Sequence, residues 1–320
     1  MRTGVRVRWI HTRYHMDILH VSGYLRLRNH EVRRTSNVEH PVCHLCQFPL
    51  FLITSLFLSF VASSHYSICS ITNMKINANF DAFAAMKFDP SKYISSPSYG
   101  VNRFMLDRIG NEKARATTIV EYRPNSSFPE HEHIGGEEFL VLKGTFKDQF
   151  GAFPAGTYVR NPIGSKHSPW VDEDGCVIMV KLLQMAETGE GTTPLHIDFE
   201  KEKGAITEFG SVLEMYKNDS TGERVQMIRL NPEVAFPIDP LAEGGEELFV
   251  YDGSLRILDE EYVQWGWLRF PPGPPMDNRK TLAAGEHGAC VYRKTGHLTD
   301  TAMGMERIQI DLETEDVIDD

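Results

Sequence analysis

A segment of this 320-residue chain occurs twice, and that repetition constrains the fold more than any other feature. Gly135-Gly136-Glu137-Glu138-Phe139-Leu140-Val141-Leu142-Lys143-Gly144 returns as Gly244-Gly245-Glu246-Glu247-Leu248-Phe249-Val250-Tyr251-Asp252-Gly253, an offset of 109 residues. The phase holds without insertion through Arg160, Pro162 and Gly164, which map onto Arg269, Pro271 and Gly273. Unrelated segments would lose register over such a distance, so the chain carries two copies of one domain.

Each copy reads as short apolar runs cut by Gly, Pro, Asn and Asp. The first has ATTIVEYRP, EEFLVLKGTF, GTYVRNP and GCVIMVKLLQM, and the second VQMIRLNP, EELFVYDGSL, YVQWGWLRF and GACVYRK. Runs of this length, rich in β-branched and aromatic residues, predict strands stacked as a sandwich or barrel. The best helical candidate is Asp81–Phe88, DAFAAMKF, where Asp81 can cap and apolar residues fall at helical intervals.

Charge divides the chain differently. Residues 1–73 hold 8 Arg, 3 acidic residues, seven His and no Lys, whereas the remainder carries a net charge of −16. An acidic body repels phosphate backbones, which argues against nucleic-acid binding. Three of the five cysteines lie in the leader, leaving Cys176 and Cys290 to the body, too few for a disulfide framework. The apolar run at 48–63 is short for a membrane span and far from Met1 for a simple secretory signal. Three readings of the leader stay open: an organelle-targeting segment, a signal anchor, or an upstream segment of a chain that starts at Met74. The last implies a cytoplasmic protein. The others imply an organelle or a membrane, touched only through 48–63. His40, Cys43 and Cys46 resemble half a zinc site, yet chance in a His-rich stretch accounts for them more simply.

The body has six histidines, and three of them fall in two motifs. His131-Glu132-His133-Ile134-Gly135-Gly136-Glu137 places two imidazoles at i and i+2, which on a strand point to one face. The glycines let the chain pass close to an ion, and Glu137 follows as an oxygen donor. Pro162-Ile163-Gly164-Ser165-Lys166-His167 then supplies a third imidazole. His131, His133, Glu137 and His167 are therefore the expected ligands of one divalent metal ion: Zn(II) or Fe(II), with Mn(II) and Ni(II) also admissible. Spacing favours Glu137 over Glu138 as the carboxylate. Arg160 reads as a structural salt-bridge partner, and no catalytic residue besides the ligands stands out.

The pattern HxH(x)3E(x)6G followed by PxG(x)2H resembles the two cupin motifs, and within that superfamily the chain is similar to the ChrR-like branch. The residues carrying the likeness are ARATTIVEYRP, HEHIGGEEFLVLKGTF, GTYVRNPIGSKHSPW and GCVIMVKL, within about 100–185. Where a closing Asn is common in the second motif, this chain has Ser168-Pro169-Trp170. The resemblance implies an all-β fold of two tandem jelly-roll barrels behind an unstructured or targeting leader. The expected divisions are 1–73, a metal-binding cupin over 74–205, and a degenerate cupin over 206–320. It implies zinc, the ion of the ChrR cupin, or a dioxygenase-type metal enzyme, since related cupins cleave carbon–carbon bonds in diketones and hydroxyacetophenones. Anti-sigma activity does not carry over, because the helical sigma-binding domain has no counterpart in 1–73. A small-molecule ligand is the expected partner, and a homodimer is compatible with the fold.

Applying the offset to the ligands gives Pro240, Ala242, Glu246 and Met276. With all three ligand histidines lost, the second barrel is expected to hold no metal, and Glu246 to be a hydrogen-bonded relic.

Overall fold

The computed structural model describes residues 74–186, 191–237 and 243–299, and in the leader the strands Val5–Val7, Met16–Val21 and Tyr24–Arg28, which pair among themselves. The runs at 40–46 and 48–63 lie outside the described residues. Among the described residues no helix is long and apolar enough to cross a membrane.

The body is built from antiparallel strands in two large sheets, one per copy, of nine and eight strands. Across the first sheet lie Leu195–Asp198, Thr157–Asn161, Glu137–Asp148, Cys176–Leu182, Ala114–Tyr122, Val101–Gly110 and Lys75–Ile76. The second repeats this order with Ala84–Met86, Trp267–Phe270, Glu246–Ile257, Ala283–Thr295, Glu223–Leu230, Gly210–Asn218 and Ala205–Thr207. The fold is all-β, two jelly-roll barrels in tandem.

Sequence period explains the packing. In Phe139-Leu140-Val141-Leu142, Phe139 and Val141 face the interior of the first barrel, while Leu140 and Leu142 join a separate core lying between the barrels. Both faces are buried, so the run is continuously apolar rather than alternating. Leu248 and Val250 face the second interior in the same way, and Phe249 meets Leu140, Tyr158 and Trp267 in the shared core.

The segment expected to be helical is instead a strand. Ala84–Met86 pairs with Trp267–Phe270 of the second sheet, Met86 opposite Trp267. Phe83 and Ala85 pack on the second interior, whereas Ala84, Met86 and Phe88 pack on the shared core. The apolar residues thus serve two faces at period two, and the helical spacing in the string is incidental. Leu195–Asp198 occupies the corresponding edge of the first sheet. The strand ahead of each copy therefore completes the barrel of the other.

The same exchange governs buried charge. Lys294 of the second copy reaches Glu138 of the first, and Lys181 of the first meets Glu247 of the second at 2.6 Å. Arg160 bonds Glu223 and Glu138 at 3.0 and 3.2 Å, and its counterpart Arg269 bonds Asp107 at 2.9 Å. These side chains are almost fully buried, so each ion needs its partner. Arg160 is a structural ion-pair residue, and the Glu-Glu pair recurs in both copies because its second member ties the barrels together.

Candidate metal centre

Two short strands bring the histidine motifs together. His131–Glu132 pairs with Lys166–His167 in an antiparallel ribbon that sets His131 opposite His167. The strand ends at Glu132, and His133 is placed by hydrogen bonds instead: its N–H donates to Ser165 at 3.0 Å and its carbonyl accepts from Gly164 at 2.9 Å. The chain then turns through Gly136, whose φ of +73° disfavours any side chain and where a Cβ would fall 2.3 Å from Met185 Sδ. Glu137 emerges from that turn as the first residue of the longest strand in this barrel, sharing the inward face with Phe139.

The four donors converge. One ligand atom from each of His131, His133, Glu137 and His167 lies within 4.8 Å of all the others. His167 Nε2 is 3.2 Å from His131 Nε2, and Glu137 Oε2 is 3.6 Å from both His133 Nε2 and His167 Nε2. Ligand bonds of about 2.0–2.2 Å place neighbouring donors roughly 3–3.6 Å apart, so this set fits a single divalent ion.

The partners behind the rings fix which nitrogen faces inward. Asp148 Oδ2, fully buried, takes the Nδ1–H of His167 at 3.1 Å, and the Pro129 carbonyl takes that of His131 at 3.1 Å. Both rings then aim a bare Nε2 lone pair at the centre. His133 Nε2 is buried and makes no hydrogen bond, the signature of a nitrogen reserved for another partner. Burial lowers the pKa of His133, which keeps the ring neutral and ready to ligate. Burial acts to raise Glu137, but His133, His167 and the Asn161 amide, which donates at 2.9 Å, outweigh it, and the pKa is lowered. Glu138 points the opposite way, into the interface, where burial is overcome by Lys294 and Arg160 and its pKa falls to about 2.

Three of the donors, His131, His133 and Glu137, line an open cavity of about 530 Å³. Its walls are mostly apolar, from Val101, Val120, Phe128, Val180 and Leu182, with Tyr122 among them and Arg103, Glu112 and Lys113 at one side. Arg103 is bound to Glu112 at 3.1 and 3.3 Å. His131 is exposed while the other three donors are buried, so approach is from its side.

The second barrel answers its buried carboxylate differently. Glu246 is gripped by Arg279 through Nε and through Nη2 at 3.0 Å, and Arg293 Nε lies 2.9 Å from Oε1, the oxygen that Arg279 Nη2 also bonds. Met276, the counterpart of His167, is 39% exposed. Pro240 and Ala242, which replace His131 and His133, fall outside the described residues.

Sequence reasoning passed over Asp148, Asn161 and Tyr122. Asn161 stands directly before the second motif and could have been suspected. Asp148 and Tyr122 carry no local signal, since only closure of the barrel brings them to the donors.

No curated protein sequence matches the chain. Among solved structures, one similar to it is a putative dioxygenase from Nostoc punctiforme, with 14% identity, 72% of this chain and 85% of that chain covered, and a TM-score of 0.46. A putative glyoxylate-induced protein from Pseudomonas aeruginosa aligns at 14% identity over 69% and 89%, with a TM-score of 0.49. A bacterial pirin from Escherichia coli in complex with nickel(II) aligns at 11% identity over 67% and 98%, with a TM-score of 0.48. The family described as the ChrR Cupin-like domain matches residues 81–186, the span that contains all four donors. Residues 81–186 thus carry a ChrR cupin-like domain, and the match extends over that part of the chain alone.

Proposed function

We propose that the protein is a mononuclear metal enzyme of dioxygenase type, acting on a small oxygenated organic molecule, with the ion held by His131, His133, Glu137 and His167. The observation that carries this reading is the convergence of three imidazole nitrogens and a buried carboxylate, with two of the imidazoles and the carboxylate on the wall of an apolar cavity. A divalent ion in such a site supplies Lewis acidity, and iron(II) with open coordination positions supplies a means of activating dioxygen. The chain's own groups do the rest. Asp148 and the Pro129 carbonyl hold two rings in the ligating tautomer, Asn161 orients the carboxylate, and the valine and leucine walls exclude water from a bound ligand.

A second reading is favoured by the donor count. Four protein donors satisfy a tetrahedral zinc ion outright, as a sensory or regulatory module without catalysis requires. Metal analysis of protein purified without added metal, followed by oxygen uptake with iron-loaded protein and a panel of β-dicarbonyl compounds, separates the two. Iron with substrate-dependent oxygen consumption supports the enzyme. Stoichiometric zinc, with no oxygen consumed by the iron-loaded form for any compound, supports the regulator.

A further inference from the structure

The cavity beside the donors holds one hydroxyl that the fold leaves unused. Tyr122 ends the strand Ala114–Tyr122, with Val101 and Cys176, both interior residues, as its cross-strand partners. Its ring is wedged edge-on against Phe128 and Phe146, at 5.6 and 5.8 Å between centroids, and Phe146 in turn lies 5.9 Å from the His167 ring. The ring is therefore fixed. Its hydroxyl nevertheless makes no hydrogen bond to any described residue, and it is not sealed in the core: the side chain lines the same cavity as His131, His133 and Glu137. Tyrosine hydroxyls in apolar surroundings normally find a partner in the protein. Here the ring borders the open cavity, which leaves room for a partner from outside the chain.

We propose, on the reading that this cavity is the ligand site, that it takes an apolar molecule bearing a carbonyl-type acceptor oxygen, and that Tyr122 donates its hydroxyl hydrogen to that oxygen. A phenol keeps its proton at neutral pH and so acts as a donor. The cost of mismatch gives the selectivity. A ligand of the same shape without the oxygen would seal the hydroxyl from water and leave it unpaired, which a site of this kind penalises. Tyr122 is thus a specificity-determining residue as well as part of the wall.

The test uses acetophenone and α-methylstyrene, which share one shape and differ by a C=O in place of a C=CH2. Calorimetric titration of both into the EDTA-treated full chain removes any contribution of metal ligation to carbonyl binding. Wild type is expected to prefer acetophenone by about five- to tenfold, one good hydrogen bond's worth. Tyr122→Phe should bring the two affinities within twofold, while Phe128→Leu, which keeps the hydroxyl, should retain the preference. Equal binding of the pair by wild type, an unchanged preference in Tyr122→Phe, or no binding of either compound at millimolar concentration would overturn the proposal. The cobalt(II)-loaded protein, followed by its visible spectrum, reports separately on the metal site. Loss of cobalt binding there would refute the metal reading and leave the metal-free comparison standing.

Discussion

Asp148 is where a single atom decides the ligating state of His167. Its two carboxylate oxygens serve two donors: Oδ2 takes the His167 Nδ1–H at 3.1 Å, and Oδ1 takes the Phe150 backbone N–H at 2.7 Å. Asp148→Asn keeps the shape but offers one acceptor oxygen instead of two. If that oxygen stays with Phe150, the amide NH2 faces His167 Nδ1, the proton moves to Nε2, and the nitrogen aimed at the ion loses its lone pair. If the amide flips, the Phe150 N–H faces a donor and the turn at 149–150 must give way, while His167 keeps an uncharged and weaker acceptor. Removing a partner of this kind costs roughly 10–100-fold in metal affinity, which is about 1.4–2.8 kcal/mol. Competition titration of zinc against a chromophoric chelator at pH 7.5 reads this range directly, with His167→Ala as the reference for complete loss of the ligand. The reasoning fails if Asp148→Asn binds zinc within twofold of wild type while His167→Ala is crippled, because His167 would then ligate without the partner that orients it.

Other expectations follow from the same structure. Gly136→Ala puts a Cβ 2.3 Å from Met185 Sδ at a φ of +73°; it should cost about 1–3 kcal/mol, read as a lowered urea midpoint together with weakened zinc binding. Lys294→Met takes from Glu138 and Glu223 the lysine they share and leaves them Arg160, and Lys181→Met takes from Glu247 its lysine and leaves it His297 and the Trp267 indole N–H; each should cost about 3–5 kcal/mol, and urea melts showing under 1 kcal/mol for both would mean the exchange is not holding the barrels together. His297 is pushed by burial down from 6.5 to about 3. The unfolded chain therefore takes up this proton below 6.5 and the folded chain does not until about 3, so the stability it contributes is complete above 6.5 and falls by about 1.4 kcal/mol per pH unit in between. Urea melts from pH 7 to 4 should show that slope in wild type and a shallower one in His297→Gln.

The repeat, the strand-rich character and the four donor candidates were legible because each is written in short motifs of recognisable residue types. Gly-Gly-Glu-Glu and the apolar run after it state a turn, an inward carboxylate and a strand buried on both faces. The Glu137 and Glu138 ambiguity was open in the sequence, since the glycines could have shifted parity; the observed turn leaves Glu137 inward and gives Glu138 to Lys294. Illegible features depend on pairing between distant segments. Ala84–Met86 looks helical because its alternation serves two different cores, and only the second barrel's edge makes that visible. Asp148 sits 19 residues from His167 and becomes its partner only when the barrel closes.

The two barrels offer a comparison that bears on the metal. Glu137 and Glu246 are equivalent residues, each the first of its strand, inward and buried. A buried carboxylate needs compensating positive charge. Glu246 has two guanidinium groups, from Arg279 and Arg293. Glu137 has, among the described residues, no lysine or arginine at all, only an amide and imidazoles, one of which burial holds toward the neutral state. The barrel that lacks the three ligand histidines thus has permanent cations at this carboxylate, and the barrel that has them does not. That asymmetry is what a resident cation predicts, because an ion at the focus of the imidazoles supplies the missing charge. Replacing Arg279 with Met should therefore destabilise the second barrel as chelation destabilises the first. In urea melts the chelator's effect should persist in the Arg279→Met variant and vanish in His131→Ala, His167→Ala. A chelator effect that survives the loss of both histidines would place the cation somewhere other than beside Glu137.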